Sequence, residues 1–359
     1  MTRTVSISLD QFYRPQPGGI ATYVRGLVGG LTSLGDDALH LVGVAPKGSP
    51  TQDVSGMALK QVITWAPIEV LTRLWARWPL GVPALSDVVH ATSVAGPFAG
   101  GTKEAVHSVA LHDLLWRDEP SASTPRGIKF HENRLQMLKR RDDVRIITTA
   151  PGLAQRLIGD GFAKERVHES RLGVGDATVC DAPGQVRAFL AEHGVVGPFT
   201  LYAGTREPRK NLGRLIEAHA AAFAANAELG PLVLVGPQGW GEEEVGAAVV
   251  LGMVARSMLQ GLYRDASIVA YVPRAEGWGL PPVEALHEGA RVVASATTPS
   301  VTANDEVVLV DPLDVGAIAN GLIRALSLGT DEASRQRRRA TVDSLTWRNV
   351  ALDHLAAWA

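Results

Sequence analysis

The stretch Ala266-Ser267-Ile268-Val269-Ala270-Tyr271-Val272-Pro273-Arg274-Ala275-Glu276-Gly277-Trp278-Gly279-Leu280-Pro281-Pro282-Val283-Glu284-Ala285-Leu286-His287-Glu288-Gly289 reads as a strand, a glycine loop and a helix in direct succession. The apolar run Ile268 to Val272 suits a strand buried on both faces. Gly277 and Gly279 admit backbone angles and close approach that other residues resist. Pro281 and Pro282 fit a first helical turn, Glu284 falls within the helix, and Gly289 ends it. Strand, turn and helix in this order form the repeating unit of a parallel α/β sheet. Free N–H groups and the positive end of the helix dipole make such a turn an anion site. If the whole segment were helical, Glu276 and Glu284 would stand about 12 Å apart along the axis. A glycosidase carboxylate pair faces one bond across about 5–10 Å. Two separate jobs, each accepting from sugar or ribose hydroxyls, therefore suit these carboxylates better than one shared acid/base step.

The same rhythm runs outward in both directions. In the first half Val5–Leu9 reads as a strand, Gly18-Gly19 as a loop, and Ala21–Leu34 as a helix. That helix carries Tyr23, Val24, Leu27, Val28, Leu31 and Leu34 at three- and four-residue spacing. His40–Val44, Asp87–Ala91, Ser108–His112 and Arg145–Thr149 are further strands, with a helix from Pro151 to Asp160. The second half restarts at Pro198–Gly204, with a helix over Asn211–Ala227 and strands at Pro231–Gly236 and Arg291–Ser295. Pro183, Gly184, Gly194 and Gly197 mark the expected junction between Asp176 and Gly197. Expected boundaries are an N-terminal domain at 1–180, a linker at 181–197, a second domain at 198–340 and a terminal helix at 341–359. In open parallel sheets ligands sit beyond the carboxyl ends of strands, so the residues just after each strand are the ones to inspect.

One such cluster is Gly204-Thr205-Arg206-Glu207-Pro208-Arg209-Lys210-Asn211-Leu212. Asn211 reads as a helix N-cap. Three cations ahead of a helix start oppose its dipole, a conflict that an anionic ligand resolves. Surface pairing with Glu207 suits Arg206, whereas Arg209 and Lys210 read as phosphate ligands. At another strand end His112-Asp113 offers a sugar contact or an acid/base group, although a histidine satisfied within the fold is the commoner case. His90 is a weaker version of the same idea.

Composition narrows the classes. The 359 residues carry a formal net charge of −2, giving no global field for nucleic acid. One cysteine, Cys180, excludes an intrachain disulfide. No signal-like leader and no apolar run of membrane-spanning length is visible, so a cytoplasmic protein is expected. No HExxH, P-loop, GxSxG, acidic DxD triplet or metal-spaced cluster occurs, so phosphate charge is expected to be met by Arg, Lys and helix ends, with no metal. The absence of a strand-linked GxGxxG disfavours a dinucleotide oxidoreductase. The tryptophan-rich stretch Ile63–Trp78 is expected to pack in the core in preference to touching a membrane or a lipid-linked acceptor. Arg335–Arg339 reads as a solvated helix face.

These pieces together resemble family 4 of the retaining nucleotide-sugar glycosyltransferases. The resemblance rests on Gly18–Tyr23, Asp87–His90, Leu111–Leu114, Arg171–Gly175, Gly204–Leu212 and the Glu276 to Glu284 motif, and it spans essentially the whole chain. It implies the GT-B fold: two facing Rossmann-like domains, a cleft between them, and a terminal helix beginning near Leu345-Thr346-Trp347-Arg348 that returns to the N-terminal domain. It implies that Arg209 and Lys210 neutralise the donor diphosphate. Glu276 would hydrogen-bond the transferred sugar, with the backbone of Gly277, Trp278, Gly279 and Leu280 around it. Glu284 would hold the ribose hydroxyls, Gly19 would admit donor and acceptor, and His112 would contact the donor sugar. Gly204 and Thr205 complete the implied donor contacts. Three positions depart from the family pattern: Thr205 stands where an arginine is frequent, Arg274 where a serine follows proline, and Ser300-Val301-Thr302 where a glutamate is frequent.

The implied activity is transfer of a hexose, with mannose favoured by the Arg-Lys-Asn variant, from a GDP- or UDP-linked donor to a glycan or lipid-linked acceptor. No further cofactor is implied, and the place of action is the cytoplasm, including peripheral contact at the inner membrane face. A nucleotide-sugar epimerase or hydrolase, which would release nucleotide without an acceptor, is an alternative. A non-catalytic binding or partner subunit is another.

Overall fold

In this computed structural model, residues 2–14, 18–36, 38–49, 59–175, 180–239 and 245–359 are described. They fall into two units, Met1–Gly173 with Leu345–Ala359, and Val174–Ser344.

The first unit is built on seven strands: β1 (Arg3–Ser8), β2 (Leu39–Ala45), β3 (Lys60–Ile63), β4 (Val88–Ala91), β5 (Val106–Leu111), β6 (Val144–Thr148) and β7 (Val167–Glu169). Their spatial order is β3-β2-β1-β4-β5-β6-β7, and every pairing is parallel. Ile7 lies in register with Gly43 on one side and His90 on the other. Connections reverse direction between β1 and β4, the switch point at which parallel sheets hold ligands. Helices α1 (Gly18–Ser33), α2 (Ile68–Leu74), α3 (Leu115–Asp118), α4 (Pro125–Lys139) and α5 (Leu153–Gly159) connect the strands. Buried Tyr23, Val24, Leu27, Val28 and Leu31 give α1 its core-facing stripe. The helix opens at Gly18, so Gly19 occupies its exposed first turn and not the loop that the Gly-Gly pair suggested.

The second unit carries β8 (Thr200–Ala203), β9 (Leu232–Val235), β10 (Val249–Gly252), β11 (Ile268–Tyr271), β12 (Val292–Ser295) and β13 (Val307–Val310). Their order β10-β9-β8-β11-β12-β13 repeats the first pattern, again with parallel pairs only. Its switch point lies between β8 and β11. Around the sheet run α6 (Pro183–Glu192), α7 (Leu212–Ala225), α8 (Arg256–Asp265), α9 (Leu280–His287), α10 (Val315–Leu326) and α11 (Glu332–Ala340). Tyr202, Leu215, Leu234, Ile268, Val293 and Leu322 sit in its main apolar core.

One boundary differs from the sequence reading. The stretch 181–197 is not a linker: most of it is α6, whose Val186 and Leu190 are buried within the second unit. Its Pro183 starts a helix instead of breaking one. Residues 176–179 of the expected junction lie outside the described residues. The last helix, α12 (Trp347–Trp358), belongs to the first unit, and Thr346 caps it by accepting from the Asn349 N–H at 3.1 Å. Among the described residues no helix is long and apolar enough to cross a membrane.

Candidate active site

The two segments singled out by sequence leave neighbouring strands at the switch point of the second sheet. Gly204 to Asn211 follows β8, and Val272 to Gly279 follows β11. Ladder-like contacts continue past the strand ends: the Arg206 N–H donates to Pro237 at 3.1 Å and the Arg274 N–H to Arg209 at 2.9 Å. A single turn, Pro208–Lys210, then presents Arg209 and Lys210.

Glu276 collects both cations. One Arg209 nitrogen, Nη1, reaches both carboxylate oxygens at 3.1 Å, and the Lys210 ammonium ion-pairs with Oε2. Tyr271, the last residue of β11, links the pair. Its hydroxyl accepts from Lys210 Nζ at 2.6 Å and donates to Glu276 Oε2 at 2.5 Å. The Gly277 N–H closes the ring on Oε1 at 3.2 Å. Burial pushes the Glu276 carboxyl up, but the Lys210 and Arg209 charges and the donated hydrogen bonds outweigh it and hold it at about 2. Burial and the facing carboxylate push the Tyr271 phenol well above its ordinary value. Glu207 pairs with Arg209 at 2.7 Å, not with Arg206 as the sequence suggested.

Asn211 does not cap α7 with its side chain. It takes a left-handed φ of 63°, and its amide donates to the carbonyls of Val272 at 3.0 Å and Pro312 at 2.7 Å. It therefore locks the cationic turn to the end of β11, an anchoring task that a capping pattern conceals. Gly279 caps α9 at φ 93°, and a Cβ there would lie 2.5 Å from Thr298 Cγ2, so glycine is required on both counts. Ser300 braces this turn by donating to the Gly279 carbonyl at 2.6 Å. Trp278 is buried beside it, and Leu280 opens the helix.

Glu284 is buried one turn further along α9 and has other partners. Arg256 of α8 donates to Oε1 at 2.7 Å and Tyr263 to Oε2 at 3.2 Å. The two carboxylates of the motif are held by separate cation–phenol pairs, in keeping with two jobs.

Arg206, Arg209, Lys210 and Arg274 set four positive charges against Glu207 and Glu276 in these two segments. The excess of two positive charges, beside backbone donors of the turn, can offset a doubly negative group. Gly204 and Thr205 lie at the base of the turn, where the Thr205 carbonyl accepts from the Tyr202 hydroxyl at 3.0 Å.

In the first unit, Gly19 lies beyond β1 and His112 directly beyond β5. His112 Nε2 is 2.9 Å from the Thr92 carbonyl, which only accepts, so Nε2 carries the proton. Nδ1 then accepts from the Thr149 hydroxyl at 3.0 Å. Burial lowers the pKa of this imidazole. Both nitrogens are satisfied within the fold, so proton transfer at His112 requires one of these bonds to open. Tyr271, Tyr263 and Arg256 escaped the sequence reading, and Ser300 entered it only as a departure from the family pattern. Only Tyr271 carried a signal, a hydroxyl-tipped residue ending an otherwise apolar strand.

The sequence profile of the family described as glycosyl transferases group 1 matches residues 197–327. O-antigen chain mannosyltransferase B of Escherichia coli is 28% identical over 211 residues, 55% of this chain and 55% of that protein. The chain thus spans about half the length of this relative. Among solved structures, sucrose-phosphate synthase from Thermosynechococcus elongatus superposes with a TM-score of 0.71 at 18% identity, covering 99% of this chain and 98% of that one. Anabaena HepE in complex with UDP and glucose also gives 0.71, at 15% identity, with the same coverage of 99% and 98%. Residues 197–327 thus match the glycosyl transferases group 1 family, in a chain whose two Rossmann-like units share the GT-B fold of these structures.

Proposed function

We propose that the chain is a retaining glycosyltransferase that moves a hexosyl group, mannosyl in the leading reading, from a GDP- or UDP-linked donor to a glycan or lipid-linked acceptor. One observation carries this reading: Arg209, Lys210, Tyr271 and Glu276 converge at the switch point of the group 1 domain. The mannosyl preference draws on the name of the Escherichia coli relative.

In the reaction the bond from the anomeric carbon to the diphosphate oxygen breaks and a bond to an acceptor hydroxyl oxygen forms. The acceptor proton passes to the departing phosphate. Arg209 and Lys210 stabilise the charge that grows on the diphosphate, aided by backbone N–H groups at the start of α9. A diphosphate draws both cations away from Glu276. Tyr271 and the Gly277 N–H then keep Glu276 in place to accept from sugar hydroxyls, while Glu284 accepts from the ribose. No resident metal or cofactor is part of this scheme. The roles of Gly19 and His112 toward donor and acceptor rest on the family resemblance alone. The proposed setting is cytoplasmic, with peripheral membrane contact.

Calorimetry with GDP and UDP tests the reading, followed by product analysis with GDP-mannose and UDP-glucose. Binding of one diphosphate with better than about millimolar affinity and acceptor-dependent release of that diphosphate are expected. Failure of both to bind overturns the proposal; binding without turnover selects the partner-subunit alternative.

A further inference from the structure

The tryptophan-rich stretch does not lie wholly in the core. Trp75 is buried with Leu71, Ala66 and Val44 in a small apolar cluster, and its indole N–H donates to the Leu80 carbonyl at 2.9 Å. Trp65 and Trp78, by contrast, are 67% and 56% exposed, and Leu85 is 79% exposed. Ile63 and Val70 are also exposed, so five large apolar side chains stand in solvent within one short segment of the first unit. Scattered single exposures need no explanation, but a concentration of this kind does.

Local geometry draws these residues together. Thr64 Cγ2 lies where a Gly81 Cβ would come within 2.2 Å, so the strand end before Trp65 abuts the turn that follows Trp78. Helical hydrogen bonding continues past α2, with the N–H groups of Arg77 and Trp78 each donating to Leu74 at 2.8 Å. With Leu71 and Trp75 turned inward, the 3.6-residue period puts Val70, Arg73 and Arg77 on the opposite, exposed face. The charges complete the pattern. From Lys60 to Leu85 the segment holds Lys60, Arg73 and Arg77 against one carboxylate, Glu69. The next acid, Asp87, is turned onto the Thr4 N–H at 2.8 Å.

Indole rings prefer the boundary between hydrocarbon and water, and long basic side chains bury their stems while the charged heads stay among phosphates. We infer that the surface formed by Ile63, Trp65, Val70, Arg73, Arg77 and Trp78 docks on an anionic phospholipid bilayer, seating the two indoles at the headgroup boundary. This inference does not depend on the donor reaction. It gives the proposed peripheral contact a defined surface.

The test is co-sedimentation of the full chain with phosphatidylcholine vesicles, with and without phosphatidylglycerol. Tryptophan quenching by brominated lipid is measured in parallel. Binding to the anionic vesicles, falling with added salt, is expected. The Arg73→Gln and Arg77→Gln pair should weaken it about thirtyfold, since each surface cation near an anionic membrane contributes about fivefold. The Trp65→Ser and Trp78→Ser pair should abolish the quenching. All four side chains are exposed, so circular dichroism and nucleotide affinity should not change in either variant. No binding by the wild-type chain overturns the inference, as does equal binding to neutral vesicles or by the arginine variant. Self-association in the absence of lipid that the tryptophan substitutions remove would also overturn it, assigning the surface to a second copy.

Discussion

Lys210 ion-pairs with Glu276, and its removal still leaves Glu276 held by Arg209, Tyr271 and Gly277. Lys210→Ala is therefore expected to fold while losing roughly a hundred- to a thousandfold in kcat, the scale of one lost donor to a developing anion. Steady-state kinetics with circular dichroism checks both halves; near-normal turnover removes Lys210 from the mechanism. Tyr271→Phe tests the bridging hydroxyl. Glu276 is held at about 2, below its ordinary 4.5, so its ionisation favours the folded state above about pH 4.5 and that contribution fades as pH falls toward 2. Without the phenol the carboxyl pKa rises, and the acid limb of the activity profile should move to higher pH; an unmoved limb would reduce Tyr271 to a packing role. Arg209, Lys210 and Glu276 were legible because charge beside glycine at strand ends is a strong pattern. Arg256 was not, since nothing local distinguishes one helix-start arginine from another, and its meaning lies in reaching Glu284 across the helix pair. Asn211 shows the opposite failure: the residue suited a cap, and tertiary contacts claimed its amide.

Elements with a full buried run were readable, and those at sheet edges were not. The central strands β1, β8 and β11 bury most or all of their residues, whereas β3, β7 and β10 lie at edges and bury none. Half-exposed edges lose the apolar continuity that marks a parallel strand. The Arg335–Arg339 run departs from its solvated-face reading at one position. Arg338 is 1% exposed and donates to the carbonyls of Gly289 and Gly329, both at 2.9 Å, pinning α11 beneath α9. The pairing of α1 with α12 is set by absent side chains. A Cβ on Gly26 would lie 2.1 Å from the Trp347 ring, and one on Gly30 would lie 2.1 Å from the Trp347 carbonyl. Gly26→Ala is expected to displace α12 and to cost about 1–3 kcal/mol by overpacking. Thermal unfolding should show the loss, while nucleotide affinity of the second unit stays as it was; an unchanged melting temperature would contradict this packing.

Across the first unit a one-way chain of hydrogen bonds joins distant parts of the sequence. His354 Nδ1 lies 2.7 Å from the Val350 carbonyl and so carries its proton there, leaving Nε2 to accept from Tyr23 at 2.8 Å. Tyr23 then accepts from His90 Nε2 at 2.7 Å, His90 Nδ1 accepts from Ser108 at 2.9 Å, and Ser108 accepts from Trp358 Nε1 at 2.8 Å. These five side chains are wholly buried. His90 was weighed as a site residue from sequence, and its burial in this chain reassigns it to holding α12. Burial lowers His354 to about 4 from an ordinary 6.5, and His90 falls well below its usual range for the same reason. The unfolded chain therefore binds more protons between those values. Stability is fully present above about pH 6.5 and declines toward pH 4, by about 3 kcal/mol from His354 alone. Urea unfolding from pH 7 to 4 measures this. His354→Gln should flatten the dependence, and an identical slope in that variant would place its origin elsewhere.

Because the first unit takes its final helix from residues 345–359, it is interrupted in sequence by the whole of the second. A ribosome delivers residues 174–344 before any of that helix exists. During translation the later unit can complete itself first, while the earlier one waits with Tyr23 lacking His354, Ser108 lacking Trp358, and Gly26 and Gly30 facing an empty groove. Synthesis of residues 345–359 then supplies Trp358 to Ser108, and the portion begun first is completed after the second unit has been made.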